Sequence, residues 1–228
     1  MFILLDQRIP AKALKTLQNF GEVIPFFTEG ITYPAIAGHP DIFCTQTDRE
    51  LIVAPNLPDK FKDLLFKNES SFVEGELPVG TEYPETARYN AVYTKNFLIH
   101  NFRHTDPSIT DRAGEHELIH VDQGYTRCNL LPLKYDHFIT SDAGISRVLD
   151  RYELNNLYVD PSDILLPGMK HGFFGGACGI FENSVFILGT LDKFKDGIKV
   201  RNYLEVLHYK IIELYDGPLF DGGSIIFI

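Results

Sequence analysis

The sequence predicts an α/β fold: five strand-strand-helix-strand units closed into a ring, a five-bladed α/β propeller in a single domain. Three observations point there. Short apolar runs recur at 2–5, 50–53, 97–100, 137–140 and 185–188, starting about 40 to 50 residues apart, the period of a stacked or closed array. Each run is followed by a turn, a helix candidate and a further short strand. The C-terminal segment 224–228 is apolar and β-branched to its last residue. It supplies the strand that the first unit otherwise lacks.

In chain order, the first helix starts at Pro10 with Ala13, Leu14 and Leu17 on one face, and the second at Pro58 with Phe61, Leu64 and Leu65. The third has Asp106 as cap and Pro107 at its first helical position, where a missing N–H costs nothing. The fourth is capped by Ser141 or Asp142 and carries Ile145, Val148, Leu149 and Tyr152; the fifth repeats that spacing at Val200, Tyr203, Leu204 and Leu207,. The strands expected after the helices are 22–26, 71–74, 117–121, 156–160 and 210–214. Those expected before the apolar runs are 42–46, 91–94, 126–131, 179–181 and, for the first unit, 224–228. The units are therefore 1–27 with 222–228, 40–75, 88–122, 124–161 and 172–215. Pairing the last strand with the first removes both unpaired edges of a linear array.

Composition narrows the function. The 228 residues carry 31 acids against 21 Lys and Arg, a formal charge of −10, which repels phosphate backbones and argues against nucleic acid as a partner. No apolar run approaches a membrane span,. The opening residues meet Asp6 without a basic stretch and are read as a strand rather than a signal peptide,. Three widely spaced cysteines, 44, 128 and 178, suit reduced thiols and a cytoplasmic setting. Oligomeric state is left open.

Four segments carry a family resemblance: 39–43 (His-Pro-Asp-Ile-Phe), 123–128 (Gln-Gly-Tyr-Thr-Arg-Cys), 171–179 (His-Gly-Phe-Phe-Gly-Gly-Ala-Cys-Gly) and 221–228 (Asp-Gly-Gly-Ser-Ile-Ile-Phe-Ile). With the five units they make the whole chain resemble the pentein fold of guanidino-group-modifying enzymes: arginine deiminase, dimethylargininase, agmatine deiminase and amidinotransferases. More narrowly, the chain resembles a bacterial branch of that fold. The resemblance implies that His171 matches the acid/base and Asp41 a cation-holding acid. Gln123-Gly124 falls where the enzymes carry an acid-Gly step. The nucleophilic cysteine position falls at Phe227, and a phenyl ring cannot attack a guanidinium carbon.

In a closed ring, the segments 39–41, 88–90, 124–126, 175–177 and 221–223 converge on one mouth. His39, Asp41, Asn90, Thr126 and Asp221 are then the candidate ligand-binding residues for a small polar, guanidino- or amide-bearing molecule. The same Asp and Gly residues also serve as turn formers before strands. His171 is the candidate general acid/base, and Cys128 the candidate relocated nucleophile, provided Arg127 or His171 favours its thiolate; a buried strand cysteine is otherwise a small hydrophobe. No cofactor and no metal are expected. Residues 116–120 (His-Glu-Leu-Ile-His) match the zinc-hydrolase pattern HExxH, which requires a helix. Gly114 and the strand pattern here set His116 and His120 some 13 Å apart, too far for one ion.

The leading expectation is a binding protein or pseudoenzyme lacking the usual covalent chemistry. The alternative is a deiminase-like hydrolase of a non-peptide C–N bond. A zinc hydrolase using His116, Glu117 and His120, and a non-catalytic interaction scaffold, complete the set.

Overall fold

The computed structural model describes residues 1–228. The elements run β1 (Phe2–Asp6), α1 (Ala11–Leu17), β2 (Glu22–Phe26), β3 (Cys44–Gln46), β4 (Leu51–Val53), α2 (Asp59–Lys67), β5 (Phe72–Glu74), β6 (Val92–Tyr93), β7 (Phe97–His100), α3 (Pro107–Asp111) and β8 (Glu117–His120). They continue α4 (Thr126–Asn129), β9 (Leu130–Leu133), β10 (His137–Thr140), α5 (Ala143–Arg151), β11 (Asn156–Tyr158), β12 (Cys178–Phe181), β13 (Ser184–Ile187), α6 (Gly197–Val206), β14 (Lys210–Glu213) and β15 (Ile226–Phe227).

The fifteen strands form five three-stranded sheets, ordered β15-β1-β2, β3-β4-β5, β6-β7-β8, β9-β10-β11 and β12-β13-β14. In each, an inner strand runs antiparallel to the middle one, and a crossover with a helix returns the chain as a parallel outer strand. The middle strands are nearly all buried, as the run Leu51-Ile52-Val53 is throughout; strands covered on both faces read as continuous apolar runs. The helices lay Ala13 and Leu17, Phe61 and Leu65, Ile109, Ile145 with Val148 and Leu149, and Val200 with Leu204 against them. Asp106 and Asp142 cap α3 and α5 through the backbone N–H groups of Ser108, Gly144 and Ile145. Ser141, the other candidate cap, turns instead to Asn129.

The C-terminal strand closes the first sheet. Ile3 pairs with Phe227 and Leu4 with Ile226, and Phe2 and Ile228 exchange backbone bonds of 2.8 and 2.9 Å. A second circuit runs round the axis, through the turns that precede the inner strands. Asp41 N–H donates to Gly223 O (3.3 Å), Asn90 Nδ2 to Asp41 O (3.0 Å), and Arg127 N–H to Asn90 O (2.9 Å). Arg127 Nη1 then donates to Gly175 O (3.0 Å), and Ser224 N–H to Gly176 O (2.8 Å). Each unit is thereby tied to the next by a hydrogen bond near the axis. Buried backbone groups that no ladder can pair need such partners.

The inner strands are shorter than the sequence pattern suggests, because the chain enters each as a tight turn. Residue 42 belongs to a 3-10 turn over Pro40–Ile42, and another over Gly175–Ala177 precedes β12. The expected strand over 126–131 begins with the helical turn α4, so Cys128 sits on a turn and not on a strand. Thr126 Oγ1 bonding back to Gln123 O (2.7 Å) and Asn90 Oδ1 accepting from Cys128 N–H (3.0 Å) hold that turn closed. Residues 116–120 are not helical: β8 pairs in parallel with β7. His116 Nδ1 pairs with Ala113 O (2.5 Å), while His120 Nδ1 accepts from Phe102 N–H (3.2 Å).

Candidate functional site

The turns that enter the inner strands carry the polar groups of the site. Asp41 is buried on its 3-10 turn. Its Oδ2 accepts from Ser224 Oγ (2.7 Å) and from the Cys128 thiol (3.1 Å), and its Oδ1 has no hydrogen-bond partner. Asn90 bridges the units on either side, donating to Asp41 O and contacting Cys128 Sγ at 3.4 Å. His39 is buried with neither ring nitrogen hydrogen-bonded; its Nε2 lies 3.9 Å from Asp221 Oδ1. Asp221 accepts from Phe173 N–H (2.8 Å) and Gly223 N–H (3.0 Å). Gly176 makes that placement possible, since a Cβ there would fall 2.0 Å from Asp221 Oδ1. Burial pushes the Asp221 carboxyl up, with His39 pulling it back and Asp41 adding to the rise.

Asp41, Arg127 and Ser224 meet a cavity of about 110 Å³ on the ring axis. Its wall is made of inner-strand residues, among them Gln46, Tyr93, Pro132, Ile180 and Ile226. Pro132 is tolerated because an inner strand is a sheet edge whose outward N–H has no ladder partner to lose. Arg127 is the cation of the site. Its guanidinium donates to the carbonyls of Gly175 and Cys178, and no carboxylate lies within ion-pair distance. Burial pulls its pKa down, and Asp41 works against that pull; a guanidinium nevertheless stays charged and holds five N–H donors. The cavity therefore presents a carboxylate, a hydroxyl and a guanidinium together.

The candidate residues divide into two groups. His39, Asp41, Asn90, Cys128 and Asp221 come together, and of these Asp41 alone lines the cavity. Thr126 is buried but closes its own turn and is not on the cavity wall. His171 stays outside: its Nδ1 pairs with Gly172 O (2.9 Å), its ring meets Phe173 edge-on, and it does not line the cavity. Phe227 packs on the rings of Phe181 and Phe186.

Cys128 is not poised as a thiolate. Burial pushes its thiol well above the ordinary range, and Asp41 and Asp221 push the same way. Activated thiols need a cationic, partly exposed setting. Cys44 and Cys178 are likewise raised to about 12, chiefly by burial.

Arg127 and Ser224 are the site groups that the residue pattern does not single out as ligands. An arginine between Thr126 and Cys128 has no signature separating a buried axial guanidinium from a surface one. Ser224 carries a signal only in the structure. It is a non-glycine residue at φ 70, next to Gly223 at φ 65, a left-handed conformation that L residues seldom adopt. That backbone aims Oγ at Asp41.

A family model for a family of unknown function (DUF6873) matches residues 4–226. The chain belongs to that family. No curated protein matches it significantly by sequence. Among solved structures it is similar to agmatine deiminase of C. jejuni, with a TM-score of 0.58 at 10% identity over 93% of this chain and 86% of that one. It is also similar to DDAH from Pseudomonas aeruginosa in a mutant complexed with citrulline (TM-score 0.53, 10% identity, 89% and 79% covered). A third is SxtG, an amidinotransferase from Microseira wollei (TM-score 0.51, 14% identity, 89% and 77% covered). These neighbours are guanidino-modifying enzymes of the pentein fold, and the likeness establishes that fold for this DUF6873 chain. No helix is long and apolar enough to cross a membrane.

Proposed function

We propose that this protein binds a small polar molecule in the axial cavity, with a guanidino- or amide-type donor group on Asp41 and an anionic or acceptor group on Arg127. The observation that carries this reading is the pairing, on one cavity wall, of a buried carboxylate with one unpartnered oxygen and a guanidinium without an ion-pair partner. A buried carboxylate with one oxygen unpaired, beside a guanidinium that has no carboxylate of its own, favours a ligand carrying both complements. The fold supports it, because one neighbour is complexed with citrulline, a molecule with a urea end and an amino-acid end. Phe227 at the expected nucleophile position and the raised Cys128 thiol favour binding without covalent chemistry. The cytoplasm is part of this reading, since all three cysteines are free thiols.

Isothermal titration of metal-free protein with arginine, citrulline and agmatine tests it. Saturable binding to at least one, lost in both Asp41→Asn and Arg127→Met, is the expected result. No heat from any of them at millimolar concentration overturns the reading for these ligand classes.

A second reading, hydrolysis of a C–N bond, is favoured by the deiminase among the neighbours. It predicts ammonia release from agmatine or arginine, with His171 as its acid/base and Cys128 or a water as nucleophile. Turnover that disappears in His171→Ala and survives in Cys128→Ala would establish the water route.

A further inference from the structure

Three of the four buried side-chain nitrogen and oxygen atoms that lack a hydrogen-bond partner lie at one place: His39 Nδ1, His39 Nε2 and Asp41 Oδ1. A buried polar atom left without a partner is costly, so this cluster calls for an occupant. Beside them lies Cys128, and one donor atom each from His39, Asp41 and Cys128 lie within 4.8 Å of one another. All three side chains are buried. We propose that His39, Asp41 and Cys128 bind one late first-row divalent cation, zinc above all, at the axis of the ring.

The donor set matches that class of ion. Imidazole nitrogen, carboxylate oxygen and thiolate sulfur are all zinc ligands, whereas calcium and magnesium take oxygen alone. Bonds of about 2.0 to 2.3 Å place tetrahedral ligand atoms about 3.3 to 3.8 Å apart, so the donor atoms, which lie within 4.8 Å of one another, have to close by at most about 1.5 Å. Charge balances as well. The Cys128 thiol gives up its proton to solvent as its sulfur bonds to the cation, and one thiolate with one carboxylate then neutralises the dication. Nothing is oxidised or reduced.

The surroundings hold the ligands in place, as outer partners of metal ligands do. Ser224 Oγ donates to Asp41 Oδ2 at 2.7 Å, Asn90 Nδ2 stands 3.4 Å from Cys128 Sγ, and Asp221 Oδ1 stands 3.9 Å from His39 Nε2. Three protein ligands leave a fourth position open. Asp41 borders the axial cavity, which gives that position a route to a small molecule. A cationic ligand would compete with the metal for Asp41, whereas an amide carbonyl or carboxylate would join it.

The test needs no organic ligand. Chelator-treated, folded protein is titrated with Zn²⁺ by calorimetry and with Co²⁺ by absorption spectroscopy. The expected result is one ion per chain, proton release on binding, and a thiolate-to-cobalt charge-transfer band. Cys128→Ser abolishes that band and weakens Zn²⁺ binding by about 100-fold or more, His39→Gln weakens it comparably, and Cys44→Ser changes neither. Circular dichroism shows that each variant tested is folded; should Cys128→Ser not fold, His39→Gln decides. Absence of micromolar binding by the wild-type protein assigns the orphaned atoms to water and overturns the proposal. So does a charge-transfer band that survives Cys128→Ser, or Zn²⁺ affinity unchanged in His39→Gln. Failure of the organic titrations above leaves these outcomes untouched.

Discussion

Replacing Asn90 with alanine isolates the axial circuit from everything else in the fold. The Asn90 side chain donates to Asp41 O at 3.0 Å and accepts from Cys128 N–H at 3.0 Å, so it ties three units together. The Asn90 side chain is fully buried, so those bonds are not exchanged with bulk water. Asn90→Ala leaves one buried carbonyl and one buried N–H unpaired, at about 1–3 kcal/mol each, a loss of about 2–6 kcal/mol in all. The backbone bonds of residue 90, to Arg127 N–H and Ala87 O, survive, so the loss belongs to the side chain. For a chain of this size it lowers Tm by roughly 10 °C. Urea unfolding followed by far-UV circular dichroism measures it, with the exposed Asn202→Ala as a control expected within about 0.5 kcal/mol of wild type. A loss below about 1 kcal/mol for Asn90→Ala would refute the hydrogen-bonded circuit as a source of stability.

Gly175→Ala, whose Cβ would fall 2.3 Å from Arg127 O and 2.9 Å from Cys128 O, should destabilise by about 3 kcal/mol or prevent folding, since both obstacles are backbone; near-wild-type urea unfolding would contradict that packing. His100 is held neutral by burial, its pKa pushed down to about 4. The unfolded chain takes up a proton first as pH falls, so about 3 kcal/mol of stability is present above pH 6.5 and lost on the way down to pH 4. The difference between wild type and His100→Gln should follow that curve in denaturant titrations at stepped pH, and a difference independent of pH would contradict it. With all three cysteines buried and their thiols raised, a thiol reagent at pH 7 should label none rapidly in the native state and all of them in urea; fast labelling of Cys128 would revive it as a nucleophile.

The ring was legible because its information is repetitive and local. Apolar middle strands such as 97–100 and 137–140, the Asp106-Pro107 cap and the apolar C-terminus each state one element, and five similar statements support each other. The strand state of 117–120, against the HExxH pattern, was legible for the same reason: Gly114 and the unit period outweigh a five-residue match. The entry turns were harder to read. The segment 126–131 has the residues of a strand, yet its first half is a turn, held by the local Thr126–Gln123 bond together with contacts across the ring from Asn90 to Cys128 and from Arg127 to Gly175. Asp41, Asn90 and Asp221 were legible as axial groups, because pseudo-equivalent positions converge in any closed ring. Arg127 and Ser224 were not. A guanidinium reaching across the axis and a serine at positive φ are settled by tertiary geometry, which leaves no local pattern. His171, singled out by resemblance, is not on the cavity wall: its imidazole pairs with Gly172 O of its own loop, and the loop reaches the axial groups through the backbone N–H of Phe173 on Asp221.

A crystal structure of the protein grown with saturating citrulline tests the account most directly. The account predicts one ordered molecule in the axial cavity, its donor end against Asp41 and its acceptor end against Arg127. Ordered water alone in that cavity, or citrulline seated only elsewhere, would contradict it.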